Sequence, residues 1–133
     1  MIDLFIAAYW LSLNVYHEAR NQPEAGQIAI AHVTMNRCII KGVSVEETVK
    51  KPYAFSWLNE NDPQKFLPLD LEAFEKAHIA AWKCLKERTQ GKDLWGATHY
   101  YNPAHANPEW AHMPDEYPLV AVIEDHHFHK GPF

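Results

Sequence analysis

The sequence has little positive charge and little cysteine. Its 12 Lys and Arg residues are outnumbered by 17 Asp and Glu residues, which gives a net charge of −5 and argues against a nucleic-acid partner. The two cysteines, Cys38 and Cys84, lie far apart and neither belongs to a CxxC pair. One disulfide would fit this pattern, but two buried free thiols fit it better.

Targeting and cofactor motifs are also missing. The first four residues have neither a basic region nor a small-residue cleavage site, so we expect no secretory signal. Asn14, His17 and Glu18 interrupt the first apolar segment, so it is too short to span a membrane. There is no GxSxG motif and no phosphate-cradling glycine loop, so the sequence supports neither a serine hydrolase nor a nucleotide enzyme, and we expect no cofactor. Such a chain is expected to be made and kept in a cytoplasm unless something releases it.

What is present is an ordinary apolar content with many aromatic rings. The 133 residues are enough for one domain, predicted over 1–133, and 47% of them are hydrophobic, as in a globular protein. Five Trp, six Tyr and six Phe are more rings than so small a core holds easily. Some are core residues, and others are available to pack on the C–H face of a sugar.

Apolar periodicity predicts four helices followed by short strands. The fold class is therefore predicted as α+β, a helical core with a small antiparallel sheet near the C-terminus. Capping residues are expected at Asn21 or Gln22, at Ser44 and at Asp70. The predicted helices cover residues 2–19, 23–40, 45–50 and 71–89, a long loop covers 52–68, and the strands cover 98–101, 119–123 and 125–129.

Glu18 is the first candidate for chemistry. It closes the first apolar helix, immediately before a break at residues 21–23. Both the C-terminal end of a helix and low-polarity surroundings favour a protonated carboxyl, which is what a general acid requires. An ordinary surface ion pair with Arg20 explains the residue equally well.

Histidines and loop residues offer two further candidate sites. Nine histidines could supply zinc ligands, although the spacing of His126, His127 and His129 matches no named zinc pattern. His17 and Glu18 do not form an HExxH motif, because position 21 is Asn. The loop segments Phe55-Ser56-Trp57 and Tyr100-Tyr101-Asn102-Pro103 combine hydroxyls, amides and rings, which suits sugar binding as well as structural packing.

Several blocks of the sequence, in order along the chain, resemble the SleB-type cell wall hydrolases. Ala54 replaces the glutamine of one block, and Asn21, Asp125 and His129 replace a glycine, an asparagine and a tyrosine of others. The matching blocks are Tyr16-His17-Glu18-Ala19-Arg20, Gly26-Gln27, Val33-Thr34-Met35-Asn36-Arg37, Phe55-Ser56-Trp57, Tyr101-Asn102-Pro103 and His126-His127-Phe128-His129.

The resemblance implies a lysozyme-like helical fold and peptidoglycan as substrate. It implies cleavage between N-acetylmuramic acid and N-acetylglucosamine, in most members by lytic transglycosylation. Without a signal or a wall-binding domain, the chain is similar to a phage endolysin, a monomer held in the host cytoplasm until a separate membrane-permeabilising protein lets it reach the periplasmic cell wall.

In such a mechanism Glu18 would be the single acid and base. This requires its pKa to rise from about 4.3 towards about 6, and it requires Arg20 to point elsewhere. Any second carboxylate would come from Asp70, Asp115, Glu124 or Asp125. The predicted substrate-binding residues are Gln27, Phe55, Ser56, Trp57, Tyr100, Tyr101, Asn102 and His126.

Three alternatives stay open at the level of the sequence. A hydrolytic muramidase would use the same acid. A zinc-dependent N-acetylmuramoyl-L-alanine amidase would use the histidines. A non-catalytic wall-binding module would use only the aromatic and amide groups.

Overall fold

A computed structural model describes residues 3–51 and 67–133 of the chain. Helices come first along the sequence and strands come last, as the periodicity predicts. The long predicted loop lies almost entirely outside the described residues. The elements are α1 (Leu4–Ala19), α2 (Glu24–Lys41), α3 (Val45–Lys50), α4 (Leu71–Thr89), β1 (His99–Tyr101), β2 (Leu119–Ile123) and β3 (His126–His129), with short 3₁₀ turns at Leu94–Gly96 and Glu109–His112.

Helix α1 is the central helix of the core. Asp3 caps it, because its carboxylate accepts hydrogen bonds from the backbone N–H groups of Phe5 and Ile6. Leu11 and Leu13 are completely buried within it. Burial of each such side chain contributes about 1.5–3 kcal/mol, so packing rather than helix propensity fixes the position of α1.

The start of α2 differs from the prediction. Neither Asn21 nor Gln22 caps the helix; Pro23 itself is the N-cap, with an extended ψ of 162° and no side-chain cap bond. Its carbonyl accepts the N–H of Gln27 at 3.1 Å, so the chain turns directly into the helix. At the other end, Gly42 adopts a left-handed conformation with φ of 65°, as expected for a glycine that ends a helix.

The caps of α3 and α4 are as predicted. The Ser44 hydroxyl accepts the N–H of Glu47 at 3.0 Å. The Asp70 carboxylate accepts the N–H of Ala73, also at 3.0 Å. Both helices pack on α1 and α2 and complete the helical core.

The three strands form one antiparallel sheet in the order β1-β3-β2. This confirms the predicted α+β class. Phe128 on the central strand is completely buried and packs with Ile30 and Val33 of α2, so the sheet lies directly against that helix. Ala19, the last residue of α1, belongs to the same cluster. The sheet is therefore placed beside the end of the helix that carries Glu18.

Two further predictions concern cysteines and membrane spans. Cys38 and Cys84 are buried free thiols, as the sequence favoured. None of the helices within 3–51 and 67–133 has the combination of length and apolarity that crossing a bilayer requires.

Candidate active site

Glu18 lies in the last turn of α1, where three elements meet. Its side chain is half-buried. It forms a side-chain hydrogen bond with Tyr100 of β1 and lies within electrostatic reach of Arg37 of α2. A carboxyl from one helix, a guanidinium cation from the next helix and a phenol from the sheet thus form one group.

Burial raises the pKa of the Glu18 carboxyl above its ordinary value. The Tyr100 hydroxyl and the positive charge of Arg37 both oppose that rise, but the loss of solvation is the larger effect. A carboxyl whose pKa moves towards neutrality in a half-open position is suited to donate a proton and later to take one back.

Tyr100 stays a neutral phenol in these surroundings. Burial, reinforced by the negative charge of Glu18, raises its pKa well above the ordinary value. It therefore acts as a hydrogen-bond donor towards the carboxylate form of Glu18. The predicted contact between Tyr100 and substrate stays a prediction.

Arg37 is held in place from two sides. Its Nε donates to the carbonyl of Thr98 at 2.8 Å, and its guanidinium lies 4.8 Å from the centre of the Phe133 ring. Burial lowers the pKa of this guanidinium, while Tyr100 and Glu18 favour its charge. In the sequence, Arg37 belongs to one of the blocks that resemble the family, but no role was predicted for it. Because Arg37 and Glu18 are far apart along the chain, the sequence pattern did not indicate that they lie close together.

Arg20 points away from Glu18, as predicted. Its Nη1 donates to the Tyr16 hydroxyl at 2.9 Å, and its guanidinium lies over the Tyr16 ring. The same hydroxyl accepts the backbone N–H of Asp70 at 3.1 Å. Arg20 therefore supports the junction between α1 and α4, and the cation that affects Glu18 is Arg37.

Gln27 occupies a different position from the predicted cleft surface. Only 3% of the residue is exposed, and its Nε2 donates to the carbonyl of Ala19 at 3.1 Å. That carbonyl is one of the last of α1, which has no partner within its own helix. The amide thus fixes the end of the helix that carries Glu18, and a substrate has little access to it.

Tyr101 and Asn102 lie next to this site along the chain but face other partners. The Tyr101 ring packs edgewise against Trp110 and His127, with ring centres 5.5 and 5.4 Å apart. The Asn102 side-chain oxygen accepts the N–H of Ala104 at 2.9 Å and stabilises a turn. The predicted contact between Asn102 and substrate stays a prediction.

His126 packs edgewise against Tyr100, with ring centres 5.5 Å apart. It is 9% exposed, and burial lowers its pKa, so it is neutral at pH 7. Its Nδ1 has no hydrogen-bond partner among the described residues. His126 is therefore in contact with Tyr100, the residue that is hydrogen-bonded to Glu18. Phe55, Ser56 and Trp57 lie outside the described residues.

The other carboxylates proposed as a second catalytic group have structural partners or lie apart. Asp70 caps α4, and Asp125 accepts a hydrogen bond from Gln22 at 3.2 Å. Neither these nor Asp115 and Glu124 are among the groups that shift the pKa of Glu18 in the described part of the chain.

The histidines do not assemble into a metal site in the part of the chain that the structure describes. Within 3–51 and 67–133, no three His, Cys, Asp or Glu side chains are grouped closely enough to hold a metal ion. Instead, His129 Nδ1–H donates to the carbonyl of Tyr117 at 2.8 Å, and the His129 ring packs on Trp110.

Comparison of the sequence with known protein families identifies the family of this chain. A sequence model described as Cell Wall Hydrolase matches residues 21–129, which is most of the chain. The chain belongs to the cell wall hydrolase family. No curated protein sequence matches it.

Two solved structures show the same fold. One is the catalytic domain of the germination-specific lytic transglycosylase SleB from Bacillus anthracis, with 27% identity, 93% of each chain covered and a TM-score of 0.71. The other is the catalytic domain of the Bacillus cereus SleB protein, with 29% identity, 94% of this chain and 91% of that chain covered, and a TM-score of 0.70.

The family match covers Arg37 and Tyr100 but begins just after Glu18. In this cell wall hydrolase, Glu18 is therefore singled out by its position beside two residues of the matched region and by its burial. It is not singled out by the match itself.

Proposed function

We propose that this cell wall hydrolase cleaves the glycosidic bond between N-acetylmuramic acid and N-acetylglucosamine as a lytic transglycosylase, with Glu18 as its only acid and base. The observation that carries the proposal is the half-buried Glu18 carboxyl, whose pKa is raised by burial while the Tyr100 hydroxyl is positioned to stabilise its anion. The printed activity of the Bacillus anthracis structural neighbour supports the reaction type.

The first step would be proton donation. Protonated Glu18 gives its proton to the glycosidic oxygen, which leaves as O4 of N-acetylglucosamine while its bond to C1 of the muramyl residue breaks. Positive charge develops at C1, and the N-acetyl group of the substrate can stabilise it. Glu18 is left as a carboxylate that accepts the hydrogen bond of Tyr100.

The second step returns the proton. The Glu18 carboxylate removes the proton from the muramyl 6-hydroxyl, and O6 forms a bond to C1, which gives a 1,6-anhydro product. Because one group gives and then regains a proton, no second carboxylate is needed. The opposing influences on the Glu18 pKa suit this double role: burial favours the acid that gives the proton, while Tyr100 and Arg37 stabilise the carboxylate that takes it back.

The deciding experiment is analysis of digested peptidoglycan by mass spectrometry. Wild-type protein should release anhydromuropeptides. Glu18→Gln should keep its circular dichroism spectrum and lose activity by a factor of about 10² or more, as expected when a general acid is removed.

Other products would contradict parts of the proposal. Reducing-end muropeptides would indicate a hydrolytic muramidase, and free peptides that disappear with EDTA would indicate a zinc-dependent amidase. Absence of products from the wild-type protein would indicate a wall-binding module. A Glu18→Gln variant with more than about a tenth of wild-type activity would exclude Glu18 as the acid.

We also propose that the enzyme acts on the wall from the inside, as an endolysin does. A chain with net charge −5 gains no electrostatic help in approaching an anionic bacterial surface from outside. When the protein is expressed in a bacterial cytoplasm, lysis should require co-expression of a membrane-permeabilising protein. Lysis of cells without it would contradict this role.

A further inference from the structure

A cavity of about 530 Å³ lies on a different side of α2 from Glu18. This volume is typical of sites for small ligands, which measure about 300–1,000 Å³. His32 on its wall and Arg37 at the candidate active site are five residues apart, so they project about 140° apart around the helix axis. The residues that line the cavity are His32, Glu87, Gly91, Lys92, Asp93, Leu94, Trp95 and Ile123.

The turn that forms one wall is strained and presents an exposed indole. Leu94 and Trp95 have φ of 55° and 52°, a left-handed conformation that large side chains rarely adopt. Nevertheless 69% of Trp95 is exposed to solvent. Strain that places a large ring in solvent at the mouth of a cavity gives no packing benefit, and such strain concentrates at binding sites.

Asn36 of α2 binds the backbone of this turn through its side-chain amide. Its side chain is buried, and Nδ2 donates to the carbonyls of Asp93 and Ala97 at 2.9 and 2.8 Å. Both ends of the turn are therefore fixed to α2, so the backbone that carries Trp95 at the edge of the cavity is held in place.

The opposite wall carries an oriented carboxylate. Arg88 Nη1 donates to His32 Nδ1 at 3.2 Å, and because a guanidinium can only donate, His32 carries its proton on Nε2. That N–H donates to Glu87 Oε1 at 2.9 Å. Glu87 is partly exposed, so its acceptor capacity beyond this bond is available to the cavity.

The charges around the cavity balance. Glu87 and Asp93 are offset by Arg88 and Lys92, so neither a strongly cationic nor a strongly anionic ligand is favoured. A flat exposed ring, carboxylate acceptors and an apolar floor of Leu94 and Ile123 suit a neutral molecule with one C–H face and several hydroxyl or amide donors.

We propose that this cavity is a second saccharide-binding site, in which an N-acetylated sugar packs on Trp95 and donates hydrogen bonds to Glu87 and Asp93. This second site rests on the proposed function in one respect: the sugar is taken to belong to a glycan strand of peptidoglycan. A strand bound here would hold the enzyme on the insoluble wall while Glu18 acts on another strand or another part of the same strand.

The test measures binding in a Glu18→Gln background, so that it does not depend on cleavage. The soluble probe is the tetramer of N-acetylglucosamine, followed by NMR through the indole N–H signal of Trp95, which is assigned by its absence in Trp95→Ala. We expect that signal to shift on titration. We also expect Trp95→Ala to lower the affinity for insoluble peptidoglycan by about three- to tenfold, as loss of one aromatic contact predicts.

Two further variants separate binding from folding. Trp95→Asn removes the ring but suits the left-handed turn, so it should lose affinity while keeping its stability. Trp95→Tyr restores a ring and should recover most of the affinity. Trp82→Phe, which changes an indole on α4 that does not line the cavity, is the control and should bind like its parent.

Either of two results would overturn the proposal. One is an indole signal of Trp95 that does not move at saturating tetramer. The other is a Trp95→Asn variant that binds peptidoglycan as tightly as the Trp82→Phe control. Failure of the wild-type protein to cleave peptidoglycan would instead count against the proposed function, since binding here is measured without Glu18.

Discussion

The Tyr100 hydroxyl of β1 is hydrogen-bonded to the Glu18 carboxyl at the end of α1. This bond joins the sheet to the helix and acts against the effect of burial on the acid. Glu18 is therefore controlled by a residue from the last third of the chain, and changes in the sheet should be detectable in the titration of the acid.

Tyr100→Phe removes the hydrogen bond that lowers the pKa of Glu18. The pKa should then rise further, and because the acid works in its protonated form, the high-pH limb of kcat/KM should move to higher pH. The pH profile of peptidoglycan cleavage measures this. Tyr101→Phe is the matched control, since successive strand residues face opposite sides and Tyr101 packs on Trp110. An unchanged limb in Tyr100→Phe would show that the bond does not affect the acid.

Arg37 lowers the pKa of Glu18 through its charge and supports the fold through its bond to Thr98. Arg37→Met should move the high-pH limb upward, whereas Arg37→Lys keeps the charge and should leave it in place. Both variants lose the Nε bond to a carbonyl, so both should lower the free energy of unfolding by about 1–3 kcal/mol. Urea denaturation and pH profiles measure the two effects separately. Identical profiles for Met and Lys would rule out a role for the charge.

His99 should make stability depend on pH. Burial, together with the nearby charge of Arg37, lowers its pKa to about 4. The unfolded chain takes up a proton at His99 below about pH 6.5, while the folded protein does so only near pH 4, so stability falls as pH decreases through this range. In His99→Phe, the free energy of unfolding should fall less steeply between pH 6.5 and 4.

The control for this prediction is His105→Gln, because His105 is exposed. Its stability curve should run parallel to that of the wild type. A His99→Phe curve that also runs parallel would mean that His99 takes up its proton equally easily in the folded and unfolded protein.

Asn36 is expected to be important for stability because one amide satisfies two carbonyls. Asn36→Ala leaves the carbonyls of Asp93 and Ala97 without this donor, at a cost of about 1–3 kcal/mol for each one that stays buried. Urea denaturation measures the loss. The exposed Asn107→Ala should change stability by no more than about 0.5 kcal/mol. If Asn36→Ala and Asn107→Ala had the same free energy of unfolding, water would have replaced the Asn36 amide as the donor to the two carbonyls.

Signals within a few residues along the chain were sufficient to predict most helix boundaries. Asp3, Ser44 and Asp70 cap their helices through contacts with residues two or three positions away, so short-range chemistry determines these boundaries. Pro23 was the exception, because a proline in an extended conformation can itself be the N-cap, and pattern alone did not distinguish this from the first helical turn.

The candidate site was only partly predictable. Glu18 was identified as a candidate from its place at the end of an apolar helix, and Arg20 was expected to point away, which it does. Gln27 and Tyr100 were expected to face a substrate. Those contacts with substrate stay predictions, whereas the structure shows that Gln27 fixes the end of α1 and that Tyr100 binds Glu18. Neither contact was foreseen, since each joins elements that the sequence separates.

The sequence by itself therefore determined which helices and strands form, to within one or two residues at their starts, which class of fold they build and which carboxyl is the candidate acid. These properties follow from periodicity and capping, which act over a few residues. Only the tertiary structure decided that Arg37 rather than Arg20 is the cation acting on Glu18, and that Trp95 stands exposed beside an oriented Glu87. The physical reason is that solvation and charge depend on distance in space, which for these pairs is unrelated to separation along the chain.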